Sequence, residues 1–222
     1  MVSVPAAVTQ IAADGRLTRR QQRRLILDLA LRRQRPGTGS SEAFNMRRTA
    51  LNPWPDLRGI LSDLRWAIVG DVATRAYMPE RTTLDLNIIV HPEDGPQIWQ
   101  RLRAARFAFI SNLAMPGQTW TTPDGVEIDV LEGQYQWIDE ALDTPVPDAA
   151  GYPVIGLPYL VMLKMTASRA IDLGDLTRLL GLASELQLED VRQAVARHMP
   201  EDSDDLETLI LLGKQEMQFP PA

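Results

Sequence analysis

The sequence contains no cysteine and only two histidines, His91 and His198. Without cysteine there is no disulfide framework, no thiolate nucleophile and no cysteine-ligated metal, and two histidines are too few for a His-rich zinc site. No apolar run approaches the roughly 18 residues of a membrane span. The first residues also lack the basic start and long apolar core of a signal peptide. We therefore expect a cytoplasmic protein with no membrane partner.

Lysine is scarce as well, since arginine outnumbers it 21 to 2. The formal net charge is −6, but the charge is unevenly spread over the 222 residues. Residues 1–50 carry ten arginines against three acidic residues, a net +7, whereas the remaining residues carry −13. This asymmetry predicts a basic arm on an acidic body. Such an arm can bind nucleic acid or dock on the acidic part of its own chain, and the sequence leaves both open.

Hydrophobic periodicity predicts a helix over residues 16–35, with Thr18 as its N-cap. The Pro-, Gly- and Ser-containing segment 36–41 indicates a linker. We expect three regions: a basic helical arm with its linker over residues 1–45, an α/β core over 50–156 and a helical region over 157–222. The arm is too short to bury a core alone, so we expect it to pack on the main domain or to form a homodimer contact.

Alternating helix and strand signals run through the rest of the chain. Helices are predicted at 55–64, 71–77, 96–105, 158–169, 172–183, 187–198 and 203–213. Strands are predicted at 66–69, 84–90, 107–110, 118–122 and 126–131, with a hairpin turn at 122–125.

Two of these strands carry polar oxygens at alternating positions. Because strand side chains alternate between faces, Asp85 shares a face with Asn87, and Glu127 shares a face with Asp129. If the two strands are neighbours, Asp85, Asn87 and Asp129 converge at one edge of a sheet, where their oxygens suit Mg²⁺. Gly70 ends a strand and leads into a helix, an arrangement that can cradle a phosphate. Together these features predict metal-assisted phosphoryl transfer.

The order of these motifs resembles the nucleotidyltransferase superfamily. The resemblance is carried by residues 67–77, then 81–90 with its Arg-Thr-Thr-Leu-Asp-Leu-Asn sequence, then the Val-Glu-Ile-Asp-Val strand at 126–130. Segments 157–169 and 172–176 extend it, so that it covers roughly residues 55–185. More narrowly, the chain is similar to small bacterial nucleotidyltransferase-like proteins related to type IV toxin–antitoxin toxins. The resemblance implies an α+β nucleotidyltransferase fold, a small mixed β-sheet flanked by helices, with an N-terminal helical arm and a helical C-terminal part.

The resemblance also implies a reaction and its residues. It implies metal-dependent transfer of NMP from an NTP to a hydroxyl acceptor on RNA, a protein or a small molecule, with Mg²⁺ or Mn²⁺ as cofactor. Asp85 and Asp129 are the implied catalytic residues, and with Asn87 they are the implied metal ligands. The implied nucleotide-binding residues are Gly70, Asp71, Arg81, Thr82, Lys164 and Arg169.

Two positions depart from the family pattern. Asn87 stands where a second aspartate is usual, and its amide oxygen brings no charge to a metal. Asp71 stands where glycine or serine is usual, and its carboxylate repels a triphosphate unless a cation lies between them. Three interpretations remain open: a degenerate member that serves as a binding or regulatory module of a toxin–antitoxin or defence system, an active enzyme whose metal set uses Asp71, and an engineered change at Asn87.

Ordinary structural roles compete with the functional ones. Asp71 also suits a helix N-cap. A lysine in an apolar helix, such as Lys164, usually extends its ammonium to solvent. Arg169, Asp172 and Asp175 have the i, i+3 spacing of ion pairs on a helix surface.

Overall fold

The computed structural model describes residues 11–12, 16–33, 54–79 and 85–217. Two compact units are present: a helical unit formed by residues 1–42 and 161–222, and a sheet unit formed by residues 43–160. The α+β class expected from the sequence is confirmed. No helix in the described ranges combines the length and the apolarity that a membrane crossing requires.

The described elements, in chain order, are α1 (Arg19–Arg33), β1 (Trp66–Val69), α2 (Gly70–Ala73), β2 (Asp85–Val90), α3 (Gly95–Ala104), β3 (Ala108–Asn112), β4 (Gly117–Thr121), β5 (Glu127–Glu132), α4 (Ile138–Asp143), β6 (Val146–Pro147), β7 (Pro153–Val154), α5 (Leu157–Ala167), α6 (Ala170–Leu182), α7 (Glu185–His198) and α8 (Ser203–Glu216). Single 3₁₀ turns lie at Thr74–Ala76, Pro92–Asp94 and Pro200–Asp202. Most of the expected elements are therefore present, with ends shifted by a few residues.

The seven strands found among the described residues form one mixed sheet in the order β3-β4-β5-β2-β1-β7-β6. β2 and β5 are parallel neighbours, while β1 joins β2, and β4 joins β5, in antiparallel pairs. Even-numbered apolar residues of the central strands form a buried layer that includes Leu86, Ile88 and Ile128. Helix α3 packs on this layer, where the Trp99 and Trp120 rings stack with centroids 5.9 Å apart. This apolar layer fixes the register of the central strands.

The helix expected over residues 55–64 is wrong, because residues 55–57 have no regular secondary structure and residues 58–63 form turns. Leu57 and Leu61 are fully buried and lie one helical turn apart, which produces the helical pattern. Only one α-helix-like bond closes there, from Leu61 N to Leu57 O at 2.8 Å. The Asp56 carboxylate accepts the Arg58 backbone N–H at 3.0 Å, a local turn bond that competes with a helix, and Gly59 further lowers the helix propensity.

Helix α1 is an integral part of the helical unit. Thr18 caps it as expected, since its Oγ1 accepts from Gln21 N at 3.2 Å. The Arg23 side chain is 3% exposed and donates to Asp202 at 2.5 Å and to Asp205 at 2.8 Å. Its Nη1 also donates to Met165 O at 2.6 Å. Part of the basic charge of the N-terminal region is thus neutralised by the acidic C-terminal helices of the same chain.

Helices α6 and α8 cross at Gly181 and Gly213, whose backbones are in close contact. A Cβ atom at Gly213 would lie 2.2 Å from Thr177 O and 2.8 Å from Gly181 N. Both obstacles are backbone atoms, so a side chain at this position requires the helices to separate. Gly174, also in α6, has open space around it.

We predict that Gly213→Ala lowers the free energy of unfolding by about 2–3 kcal/mol, because the added methyl group overpacks the helix crossing. Gly174→Ala is the matched control and should raise it by about 0.5–1 kcal/mol, since alanine is the better helix former. Urea denaturation followed by circular dichroism measures both changes. Equal stability of Gly213→Ala and the unmodified protein would contradict the close helix contact.

Candidate functional site

The parallel pairing of β2 with β5 brings the predicted metal ligands onto one face of the sheet. Asn87 lies opposite Asp129, and Asp85 lies opposite Glu127 in the preceding row. Asp85, Asn87 and Asp129 are half-buried, and Glu127 is exposed. The condition on which the sequence prediction depended, that these two strands are neighbours, is therefore met.

The sheet places a third polar residue in line with Asn87 and Asp129. Thr119 of β4 lies opposite Asp129, and its Oγ1 donates to Asp129 Oδ1 at 2.6 Å. Thr119 is only 9% exposed. We call Thr119, Asp129 and Asn87 the polar row. The hydroxyl of Thr119 holds one oxygen of the Asp129 carboxylate in a defined position.

Thr119 is not among the site residues predicted from the sequence, although the sequence contains the signal that identifies it. The hairpin turn expected at residues 122–125 is confirmed, with Gly125 N donating to Thr122 O at 3.0 Å and a φ of +84° at Gly125. Counting back from this turn along an antiparallel pair places Thr119 opposite Asp129. A predicted turn therefore also predicts a cross-strand partner.

Asn87 and Asp85 are joined directly by a hydrogen bond. The Nδ2 of Asn87 donates to Asp85 Oδ2 at 2.8 Å. A carboxylate at position 87 would instead place two negatively charged oxygens close together, an arrangement that needs a proton or a cation between them. The amide thus supplies, within the chain, part of the compensation that a bound cation would otherwise give to Asp85.

Gly70 connects β1 to the polar row. Its φ is +67°, a conformation that L residues rarely adopt. A Cβ atom there would lie 3.3 Å from both Cβ and Nδ2 of Asn87. Val69, the last residue of β1, pairs with Asn87. The glycine is therefore required both for the turn and for the close approach of the backbone to Asn87.

Asp71 lies in the first turn of the four-residue helix α2 and is not its N-cap, because the helix begins at Gly70 and Val69 occupies the cap position. The backbone carbonyl of Asp71 accepts from Thr74 Oγ1 at 2.7 Å. Arg81 and Thr82 lie outside the described residues, so their nucleotide-binding roles stay predictions.

Lys164 of the helical unit does not extend to solvent, contrary to the ordinary expectation. Its side chain is 3% exposed, and its Nζ lies 2.7 Å from Asp175 Oδ2 and 3.5 Å from Asp172 Oδ1. Arg169 donates from Nε to Asp172 Oδ2 at 2.7 Å and from Nη2 to Oδ1 at 3.0 Å. Asp172 and Asp175 are 1% and 3% exposed, so these are not the surface ion pairs that the spacing also allows.

Asp172 has a perturbed acidity with identifiable causes. Burial raises its pKa, but the hydrogen bonds from Arg169 and the charge of Lys164 together lower the pKa below its ordinary value. Asp172 also accepts the backbone N–H of Arg169 at 3.1 Å and so caps α6. The nucleotide-binding roles that the resemblance gives to Lys164 and Arg169 remain predictions; within the helical unit both are held by carboxylates.

The two histidines and two of the buried tryptophans have structural surroundings. Trp120 and Trp137 are buried in the core. His91 begins the 3₁₀ turn at Pro92–Asp94, where its Nδ1 accepts from Glu93 N at 3.3 Å. His198 is the last residue of α7.

No family model matches the chain, and no curated protein matches it. Similar solved structures include the antibiotic-resistance factor ANT(2'')-Ia in solution, with 14% identity, a TM-score of 0.40, and coverage of 71% of this chain and 89% of that one. ANT(2'')-Ia in complex with adenylyl-2''-tobramycin has 16% identity, a TM-score of 0.37, and coverage of 69% and 88%. A Thermotoga maritima protein provisionally described as a nucleotidyltransferase has 13% identity, a TM-score of 0.39, and coverage of 54% and 87%. Likenesses at this level assign neither a family nor a function.

The lowered pKa of Asp172 predicts a pH-dependent contribution to stability. Folding favours the ionised carboxylate, so this contribution is complete above the unfolded pKa of about 3.9 and is lost as the pH falls through the folded pKa. We expect Asp172→Asn to be less stable than the unmodified protein at pH 7, and the difference to shrink below about pH 4. Urea unfolding at several pH values measures this difference in stability.

Glu207→Gln is the control, because its ion pair with Arg192 is solvent-exposed. Its effect should stay within about 1 kcal/mol. A difference between Asp172→Asn and the unmodified protein that does not vary with pH would exclude an ionised Asp172 as the source.

Proposed function

We propose that the chain is a nucleotidyltransferase-like protein that binds an NTP and a divalent metal on the polar face of its sheet, with an active site weakened by Asn87 and Asp71. The observation that carries this proposal is the register of β2 and β5, which places Asn87 opposite Asp129, with Asp85 on the same face of the sheet. Gly70, which follows β1 directly, abuts Asn87. The family resemblance stated from the sequence depends on these same positions.

The donor set fits a hard divalent cation. Asp85 and Asp129 offer carboxylate oxygens and Asn87 offers an amide oxygen, which are the ligand types that Mg²⁺ and Mn²⁺ take. One of the three ligands is neutral, so the affinity should be lower than with three carboxylates. When bound, such a cation offsets the negative charge of a triphosphate and of the reacting oxygens.

The chain's own residues would orient the acceptor hydroxyl, accept its proton and bind the phosphates. Thr119 holds one oxygen of Asp129, and this carboxylate orients the acceptor hydroxyl and takes its proton as the new bond to the α-phosphorus forms and pyrophosphate leaves. The missing Cβ of Gly70 allows backbone N–H groups to approach the phosphates. Asp71 opposes this binding unless a cation lies beside it.

The hydrogen bond between Asn87 and Asp85 favours a second candidate function. Because the Asn87 amide already hydrogen-bonds to the Asp85 carboxylate, this site can keep its folded geometry without a bound metal and without catalysing a reaction. The alternative is therefore a catalytically inactive module of the same kind that binds nucleotide weakly or binds a protein partner, for example in a toxin–antitoxin or defence system. RNA and proteins remain open as acceptors of the active form.

The test is thermal melting with each of the four NTPs, with and without Mg²⁺ or Mn²⁺. An NTP present at about 100 times its dissociation constant should add roughly 2.7 kcal/mol of stability. We expect a metal-dependent shift with at least one NTP, lost in Asp129→Asn. Asp124→Asn, in the exposed hairpin turn, is the control and should keep the shift.

Asn87→Asp separates the two candidate functions. Without metal it should be less stable by about 1–3 kcal/mol, since a charge-assisted hydrogen bond is replaced by repulsion. Mn²⁺ and NTP together should raise the melting temperature of Asn87→Asp. This rise should be larger than the rise that they cause in the unmodified protein. A shift only in Asn87→Asp supports the inactive module, and a shift in neither protein contradicts nucleotide binding at this face.

A further inference from the structure

Strand β3 forms one outer edge of the sheet. It pairs with β4 on its inner side, and no strand lies on its outer side within the part of the chain that the structure describes. All five of its residues, Ala108–Asn112, are exposed. An edge strand of this kind presents alternate N–H and C=O groups to a further strand.

The exposed side chains of this edge are unusually apolar. Phe109 is 47% exposed and Ile110 is 45% exposed. Met115, in the turn that follows, is 47% exposed. Large exposed apolar side chains that are grouped on one edge, rather than scattered over the surface, mark an interaction site.

The same edge also lacks charged side chains and proline, two of the features that commonly protect an edge strand against pairing. Residues 107–123 contain no charged side chain, although 23% of the residues in the protein are charged. Natural edge strands are commonly blunted by charged residues or proline. The opposite edge follows this rule, because it is formed by the short strands β6 and β7, in which Pro147 lies opposite Pro153.

We propose that β3 is the contact of a two-fold symmetric homodimer, in which β3 of one copy pairs antiparallel with β3 of a second copy. A second copy brings an identical uncharged strand, so that no like charges face each other along the new pairing. A partner selected by charge would find no charged side chain on this edge to recognise. Over the rest of the surface the net charge of −6 opposes close approach of two copies.

The geometry of the two edges determines what kind of assembly forms. Among the strands that the structure describes, only the β3 edge is free of proline. Each copy therefore offers one usable edge in this part of the chain, and the assembly closes at two chains rather than growing into a filament. The register shift between Phe109 and Ser111 makes Ile110 the extra residue of a bulge. Because a bulge interrupts a strand ladder, the new pairing is short and the dimer is expected to be weak and concentration-dependent.

Sedimentation velocity over a range of protein concentrations tests the proposal. The unmodified protein should shift from monomer to dimer as the concentration rises. Ile110 is the central residue of the five in β3, so a fully paired symmetric contact brings the two Ile110 side chains together at the two-fold axis. Ile110→Asp and Ile110→Lys should therefore each remain monomeric, because like charges then lie close together. An equimolar mixture of the two variants should dimerise again, which a merely unfolded variant would not do.

Leu29→Asp is the control, since Leu29 is 48% exposed on α1, the helix for which the sequence suggests a different dimer contact. This variant should dimerise like the unmodified protein. A protein that stays monomeric at every concentration overturns the proposal. So does a dimer that survives Ile110→Asp, and so does one that only Leu29→Asp abolishes.

Discussion

The parallel register between β2 and β5 is the constraint on which the proposed site depends. Leu86 and Ile88 alternate with Asp85 and Asn87, and both leucine and isoleucine are buried on the opposite face of the sheet. A slip of one residue would turn these apolar side chains to the polar face and bury the acidic ones, which costs several kcal/mol. Apolar burial therefore positions the polar row, and no bound ligand is needed to bring Asn87 opposite Asp129.

Buried charge pairs play the corresponding role in the helical unit. Arg23 and Lys164 are almost fully removed from solvent and contact carboxylates that are buried as well. Removing one partner of such a pair is strongly destabilising, because the remaining charge is left without compensation. The uneven charge of the sequence is thus in part a folding feature: Arg23 of the basic segment meets Asp202 and Asp205 of the acidic one. This arrangement favours docking within the chain over the nucleic-acid arm that the composition also allowed.

Sequence patterning predicted most elements because their periodicity reflects burial, as in β2, where polar and apolar residues alternate. It failed where local geometry overrides periodicity, as around Gly59, where buried leucines at helical spacing lie in turns. The pairing of β2 with β5 could only be assumed, since strand order depends on contacts distant in sequence. The burial of Lys164 was likewise hidden, because helical spacing does not reveal what packs against a residue. Thr119 was accessible in principle, through the register of a predicted hairpin.

Asn87 lies at the centre of the functional question, because its amide both offers a metal ligand and hydrogen-bonds to the neighbouring Asp85. The most direct measurement is anomalous X-ray diffraction from crystals of the unmodified protein grown with Mn²⁺ and a non-hydrolysable NTP analogue. We predict a manganese peak bound by Asp85 and Asp129, with the triphosphate beside Gly70. Crystals in which manganese is absent from this face, or binds elsewhere on the chain, would contradict it.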